Sequence, residues 1–244
     1  MTSLKAKYAV VTGGASGIGL AIATAFAAEG CHVTIADRAS EEKLAAAAAH
    51  AKAQARRIDV ANESEVTGLF DMVAKRGGID ILVNCAGILI EKPLLETSAA
   101  DFDRLMSVNL KGVFLAGREA LRLMVRQDRG GRVINIASEL AYLGRENCSL
   151  YCASKGGVLS MTRSWAREFA PKILVNAIAP GPIDTPMLGI EQTSPETLAK
   201  ETQNPLGRLG RPEEIASAAV FLAGPGATFM TGQCLSPNGG AAMF

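Results

Sequence analysis

The stretch Tyr8-Ala9-Val10-Val11-Thr12-Gly13-Gly14-Ala15-Ser16-Gly17-Ile18-Gly19 constrains this chain more than any other. Its first five residues form a short apolar run, which reads as a buried strand. Behind the glycines, Leu20, Ile22, Ala23, Phe26 and Ala27 recur at helical spacing until Glu29-Gly30, where a glycine suits a helix stop. Strand, glycine loop and helix in that order form a unit able to hold a dinucleotide. Glycines let the main chain approach a pyrophosphate, and the helix N-terminus offers amide donors and a positive dipole end. A glycine loop alone could be an ordinary turn. Here the next strand, His32-Val33-Thr34-Ile35-Ala36, ends in Asp37, where ribose hydroxyls would be read.

Beyond this unit, strand-like and helical runs alternate, the pattern of a parallel sheet covered on both faces. A helix is expected over 41–53, its alanine run Ala45 to Ala49 reading as helix propensity. A short strand around Arg57-Ile58-Asp59-Val60 puts Asp59 at the carboxyl edge of the sheet, either facing a ligand or capping a helix from about Asn62. Further strands are expected at 79–83, 132–137, 174–178 and 233–236. The fourth ends at Asn84-Cys85-Ala86-Gly87, and the fifth delivers Ser138 to the same edge. Continuous helices are expected over about 101–126, carrying Asn109, and about 150–168. The chain has 244 residues, 48% of them hydrophobic, enough for one large core. The expected architecture is therefore a single-domain, right-handed doubly wound α/β fold with a parallel sheet of about seven strands.

Composition narrows the function classes. A net charge of +1 and no long lysine or arginine run give no electrostatic case for nucleic acid or a membrane surface. No apolar run approaches membrane-spanning length, and the N-terminal residues lack a signal-peptide pattern, so a cytoplasmic location is expected. Five scattered cysteines without a C-x-x-C indicate neither a disulfide framework nor a zinc site. Cys148 and Cys152, which flank Tyr151, read as small packing residues. With only His32 and His50, no metal site and no histidine-based triad are expected.

Chemistry is instead suggested by Tyr151-Cys152-Ala153-Ser154-Lys155, thirteen residues after Ser138. On a helix the Lys155 ammonium can reach the neighbourhood of the Tyr151 phenol. Lowering a phenol from about 10 to about 7 takes roughly 4 kcal/mol, within reach of a nearby cation in a partly dry site. A tyrosine so tuned could exchange a proton near neutral pH.

Together these segments resemble the short-chain dehydrogenase/reductase family over essentially the whole chain. Thr12-Gly13-Gly14-Ala15-Ser16-Gly17-Ile18-Gly19 is similar to its TGxxxGxG pattern. Asn84-Cys85-Ala86-Gly87 resembles its NNAG motif, with Cys85 in place of the second Asn. Asn109, Ser138, Tyr151 and Lys155 fall where its catalytic tetrad sits, and Pro180-Gly181-Pro182-Ile183-Asp184-Thr185 resembles its loop around the nicotinamide. The segment Asn176 to Gly181 is close to the 3-oxoacyl-acyl-carrier-protein reductase branch.

The resemblance implies a Rossmann fold and hydride transfer between nicotinamide and a carbinol or carbonyl carbon. Tyr151 would act as general acid/base. Lys155 would stabilise the phenolate and hold the nicotinamide ribose. Ser138 would orient the substrate oxygen, and Asn109 would anchor a water leading to Lys155 or simply sit at a helix distortion. It implies cofactor contacts from Gly13, Ser16, Gly17, Ile18, Gly19, Asp37, Asp59, Val60, Asn84, Ala86, Gly87, Tyr151, Lys155, Pro180, Gly181, Ile183 and Thr185. Asp37 would repel a 2′-phosphate and Ser16 brings no positive charge, so NAD is favoured over NADP, with Arg38 the one opposing feature. The expected substrate is a small secondary alcohol, polyol, sugar or hydroxy acid. The alternatives are NADPH-dependent reduction of a 3-oxoacyl thioester and a non-catalytic dinucleotide-binding scaffold. Residues 88–94 and 139–145 should border the substrate, with Glu91, Lys92 and Arg145 read as solvated. Residues at about 186–211 resemble a substrate lid with two helix-like turns before Pro205. Apolar residues on several sides of the two long helices, together with the resemblance, point to a homotetramer with the C-terminal tail near an interface.

Overall fold

A computed structural model of the chain describes residues 4–189 and 194–243. Seven strands form one sheet: β1 (Tyr8–Thr12), β2 (His32–Asp37), β3 (Gln54–Arg57), β4 (Ile81–Asn84), β5 (Gly131–Ile136), β6 (Ile173–Ile178) and β7 (Cys234–Leu235). Their order is β3-β2-β1-β4-β5-β6-β7, and every pair is parallel. The sheet is the doubly wound Rossmann type expected. Successive residues of a strand point to opposite faces. Ala9 and Val11 therefore pack with Ile22 and Phe26 of α1 (Gly17–Ala28) and Ile215 of α9 (Pro212–Ala223). Val10, Leu82 and Val133 face the other way, toward α3 (Glu63–Lys75) and α5 (Gly112–Arg126). With both faces covered, the central strands are mostly apolar, with Thr12, Asn84, Asn135 and Asn176 as buried polar exceptions.

Strand order reverses between β1 and β4, so the crossovers after these two strands leave on opposite sides and open a crevice at their carboxyl ends. Thr12 spans that crevice. Its hydroxyl donates to the Val83 carbonyl at 3.4 Å and accepts from the amides of Cys85 and Ala86 at 3.1 and 3.2 Å.

Several local expectations need correction. The third strand lies earlier, at Gln54–Arg57. Its exposed polar residues on the sheet edge carry no apolar signal, while the apolar Ile58 that drew attention only continues the pairing to Asp37. Asp59 does not cap α3. Asn62 does, accepting from Ser64 and Glu65, while Asp59 accepts from Ala61 at 2.9 Å. The helix expected over 101–126 is present over 99–126, with a π-helical turn inside it. α4 (Ala99–Met106) starts at a Ser98/Asp101 capping box and widens into a π-helical turn, Ser107–Lys111, before α5.

Of the apolar residues on the two long helices, Leu105, Val113, Leu121, Val158 and Leu159 are buried within the chain. Trp165 packs against Gly117, leaving Phe114 exposed. In the lid segment, α8 covers Pro195–Glu201. Residues 190–193 of that segment and the last residue of the tail lie outside the described residues.

Candidate active site

The carboxyl ends of the sheet border a cleft of about 340 Å³. On its β1–β2 side lies the glycine loop. Gly13 and Gly17 have φ of 68° and 52°, conformations that disfavour side chains. A Cβ on Gly13 would lie 2.7 Å from the Ala86 main chain, and one on Gly19 would strike the Gly13 carbonyl oxygen. Ser16, at the N-cap of α1, makes no side-chain cap bond, and no acid lies in the first turn. The leading amides of α1 and the positive end of its dipole are therefore presented to the cleft without an internal carboxylate to neutralise them.

Asp37 ends β2 at the same rim. Its two carboxylate oxygens accept from the amides of Ala15 and Ala39, each at 3.0 Å, so the side chain is fixed against the glycine loop. Each oxygen keeps lone-pair capacity for a further donor. A narrow backbone cradle, a bare helix N-terminus and an acid fixed at the rim fit a dinucleotide. Arg38 also borders the cleft from an exposed position.

On the β4–β6 side the candidates come from separate segments. Ser138 follows β5, and Tyr151 and Lys155 lie on α7 (Ser149–Phe169). Ser138 and Tyr151 line the same part of the cleft, and Ser138 lies near enough to the Tyr151 phenol to favour its ionised form. The Ser138 hydroxyl also accepts from the Leu140 amide at 3.2 Å, at the start of α6 (Leu140–Leu143). Lys155 Nζ donates to the Ile136 carbonyl at 2.8 Å and lies 5.6 Å from the centroid of the Tyr151 ring. Asp59, Val60, Ala86, Gly87, Pro180, Gly181, Ile183 and Thr185 line the cleft.

Asn84 and Asn109 are buried behind the lining. Asn84 donates to Asn135 at 2.9 Å, and Asn135 donates in turn to Thr162. This buried chain braces β4, β5 and α7. Asn109 sits in the π-helical turn, where its amide donates to the Ile88 carbonyl and accepts from the Ile88 amide, at 2.9 and 2.8 Å. It also donates to Ser154. The helix distortion thus turns an amide inward to satisfy the loop that leaves Gly87. Cys85, in place of a second Asn, is a desolvated thiol pushed up to about 12.

The protonation pattern corrects one expectation. Burial pushes Tyr151 up to about 12, the nearby Ser138 opposing, rather than down toward neutrality. The ammonium that was to lower it is directed at Ile136 and is itself buried. Loss of water brings Lys155 down to about 8. A second correction concerns Arg145, read as solvated. It lines the cleft and pairs with Glu201, the last residue of α8. Glu201 as a partner was not legible from sequence, because 56 residues separate it from Arg145 and no motif marks it.

Comparisons with known proteins agree with this geometry. A family model described as Enoyl-(Acyl carrier protein) reductase matches residues 13–242. The cis-4-hydroxycyclohexanecarboxylate dehydrogenase of Sinomonas cyclohexanicum is 42% identical over 241 residues, covering 96% of this chain and 96% of the relative. The 3-oxoacyl-(acyl-carrier-protein) reductase FabG of Thermotoga maritima is 39% identical over 247 residues, covering 97% and 98%. Among solved structures, a short-chain type dehydrogenase/reductase from Mycobacterium marinum superposes with a TM-score of 0.91 at 35% identity, covering 97% of this chain and 96% of that one. With the glycine cradle, the parallel sheet and the Ser138–Tyr151–Lys155 cluster in one cleft, the chain belongs to the short-chain dehydrogenase/reductase family of nicotinamide-dependent oxidoreductases.

Proposed function

We propose that the chain interconverts a compact secondary alcohol and its ketone, with NAD as the redox cofactor and Tyr151 as the proton-transferring group. The observation that carries this reading is the grouping of Ser138, Tyr151 and Lys155 in one cleft continuous with the glycine loop and Asp37. When bound, the dinucleotide supplies a hydride acceptor or donor at nicotinamide C4.

Ser138 holds the substrate oxygen through its hydroxyl and so fixes the reacting carbon relative to Tyr151, a positioning effect. Tyr151 gives its proton to the oxygen during reduction, and a phenol held well above neutrality is protonated and ready for that role. In the oxidative direction the phenol must lose its proton, and the Lys155 charge beside it favours the phenolate. At about 8 that lysine carries most of its charge at neutral pH. Gly13 and Gly17 to Gly19 bring the main chain close to the pyrophosphate, while Asp37 accepts from ribose hydroxyls and repels a 2′-phosphate. Asn109 acts through the Ile88 loop rather than on the substrate. Pro186, Met187, Leu188 and Glu201 of the lid segment line the cleft, where they limit water.

A second reading, reduction of a 3-oxoacyl thioester with NADPH, is favoured by the similarity to the Thermotoga reductase and by Arg38 at the cleft rim. A homotetramer is the proposed assembly, supported by exposed Leu94, Leu95, Phe102 and Phe114 near α4 and α5.

The test is initial rates with NAD(H) and NADP(H) on secondary alcohols, hydroxy acids and a 3-oxoacyl thioester, for wild type and Tyr151→Phe. Tyr151-dependent oxidation of an alcohol with NAD supports the first reading. Preferred use of NADPH on the thioester replaces it with the second.

A further inference from the structure

We propose that Glu139, with Arg145 and Glu201 beside it, forms a hydrogen-bond-accepting subsite that selects a substrate bearing a hydroxyl one or two carbons from the reacting carbinol. The inference rests on the reading above and names the substrate class within it: a small diol or polyol, in preference to a simple alcohol or an anionic hydroxy acid.

Glu139 follows Ser138 directly and lines the same cleft. Its backbone is fixed on both sides. The amide donates to the Pro180 carbonyl at 3.0 Å, and its carbonyl accepts from the amides of Tyr142 and Leu143 at 2.9 and 3.1 Å. The residue is 6% exposed, yet Oε2 has no hydrogen-bond partner among the described residues. A buried carboxylate oxygen without a donor is unfavourable unless a donor arrives from elsewhere. The nearest cation does not meet that need, since the Arg145 guanidinium is paired with Glu201, itself buried.

The charge balance follows from the same three residues. Two carboxylates and one guanidinium leave no spare positive charge to receive a substrate anion. Burial, and then the Glu201 charge, push Glu139 up to about 7, with Arg145 pulling the other way, so near neutral pH the ionised form that accepts from a hydroxyl is still populated. In the same cleft, Ile88, Leu89, Leu140 and Met187 offer apolar surface to a short carbon frame. A site built around a hydrogen bond rejects the analogue lacking it, because the buried acceptor is then left unpaired.

The probes are cyclohexanol, cyclohexane-1,2-diol, cyclohexane-1,3-diol and 4-hydroxycyclohexanecarboxylate, each with NAD, on wild type, Glu139→Gln and Glu139→Leu. Turnover and calorimetric binding to the NAD-loaded protein are measured, and thermal melts and NADH affinity verify that each variant folds. The better diol should exceed cyclohexanol by about tenfold or more in kcat/KM and in affinity. That ratio should fall toward one in Glu139→Leu and partway in Glu139→Gln.

An equal loss on diol and monool in the folded variants, or no diol advantage in wild type, overturns the subsite. So does a preference for the carboxylate, which would make Arg145 the recognition group. Tyr151-dependent turnover of cyclohexanol without a diol advantage sinks the subsite alone. Absence of any alcohol turnover sinks the reading above it, and diol binding lost in Glu139→Leu would still uphold the subsite.

Discussion

The two sides of the cleft are built from different materials. The β1–β2 side is main chain: glycines whose missing Cβ atoms permit close approach, helix amides, and a single acid held by two backbone donors. The β4–β6 side is side chain: a serine, a phenol, an ammonium and three further charged groups, drawn from α7, α8 and the loop after β5. A cradle of main chain tolerates no added atom but does not depend on titration. The side-chain half tolerates changes of shape better than changes of proton inventory. The contrast predicts which substitutions damage binding and which damage chemistry.

The largest expected effect is on the side-chain half. Tyr151→Phe removes one oxygen and should lower kcat/KM about 10²- to 10⁴-fold, the usual weight of a positioned proton donor. NADH affinity, measured by nicotinamide fluorescence, should stay close to wild type because the glycine loop is untouched. A matching loss of NADH affinity would break the division between the halves.

Gly19→Ala tests the opposite half. Its new Cβ meets the Gly13 carbonyl oxygen, a main-chain atom that can move only if the loop moves. Dinucleotide affinity should fall on the order of ten- to hundredfold, with a stability loss of about 1–3 kcal/mol from overpacking. Near-normal affinity with a lower kcat would mean that the loop is not the pyrophosphate cradle. A smaller change is expected from Asp37→Ser, which removes the rim acid and its bond to Ala15. The ratio of kcat/KM for NAD over NADP should drop about tenfold, roughly 1.4 kcal/mol. An unchanged ratio would transfer cofactor choice to Arg38.

The same contrast governs what the sequence made legible. The β1 cradle is contiguous, and its reason is local: glycine spacing between an apolar strand and an apolar helix, closed by Asp37. Tyr151 and Lys155 could be read because they share one helix, and Ser138 because it ends an apolar strand. The edge strand Gln54–Arg57 was displaced in the reading because its residues are exposed and polar. The π-helical turn at Ser107–Lys111 has no local signature, since its cause is tertiary: Asn109 meeting the Ile88 backbone. The direction of the Tyr151 shift was misjudged for the same reason, as spacing reveals a nearby cation but not the loss of water around both groups. Arg145 and Glu201 meet only in three dimensions, so their pairing was out of reach.

The smallest expected effect concerns stability rather than rate, and it separates the halves by pH. Glu139 rises from an ordinary 4.5 to about 7 on folding, through burial and the neighbouring Glu201, against the pull of Arg145. Between those values the folded protein holds a proton that the unfolded chain has released, so this group costs stability as pH climbs from about 5 to 7. Below 4.5 both states are protonated and the cost vanishes. Glu139→Gln cannot ionise. It should therefore match wild type in thermal melts near pH 4.5 and exceed it near pH 7, by on the order of 1 kcal/mol or a few degrees in Tm. Gly19→Ala should instead show an offset independent of pH over the same interval, because its cost is steric. A pH-independent offset in Glu139→Gln would mean that the carboxylate is better solvated or better partnered in solution than its burial implies, and it would weaken the case for a waiting acceptor in the cleft.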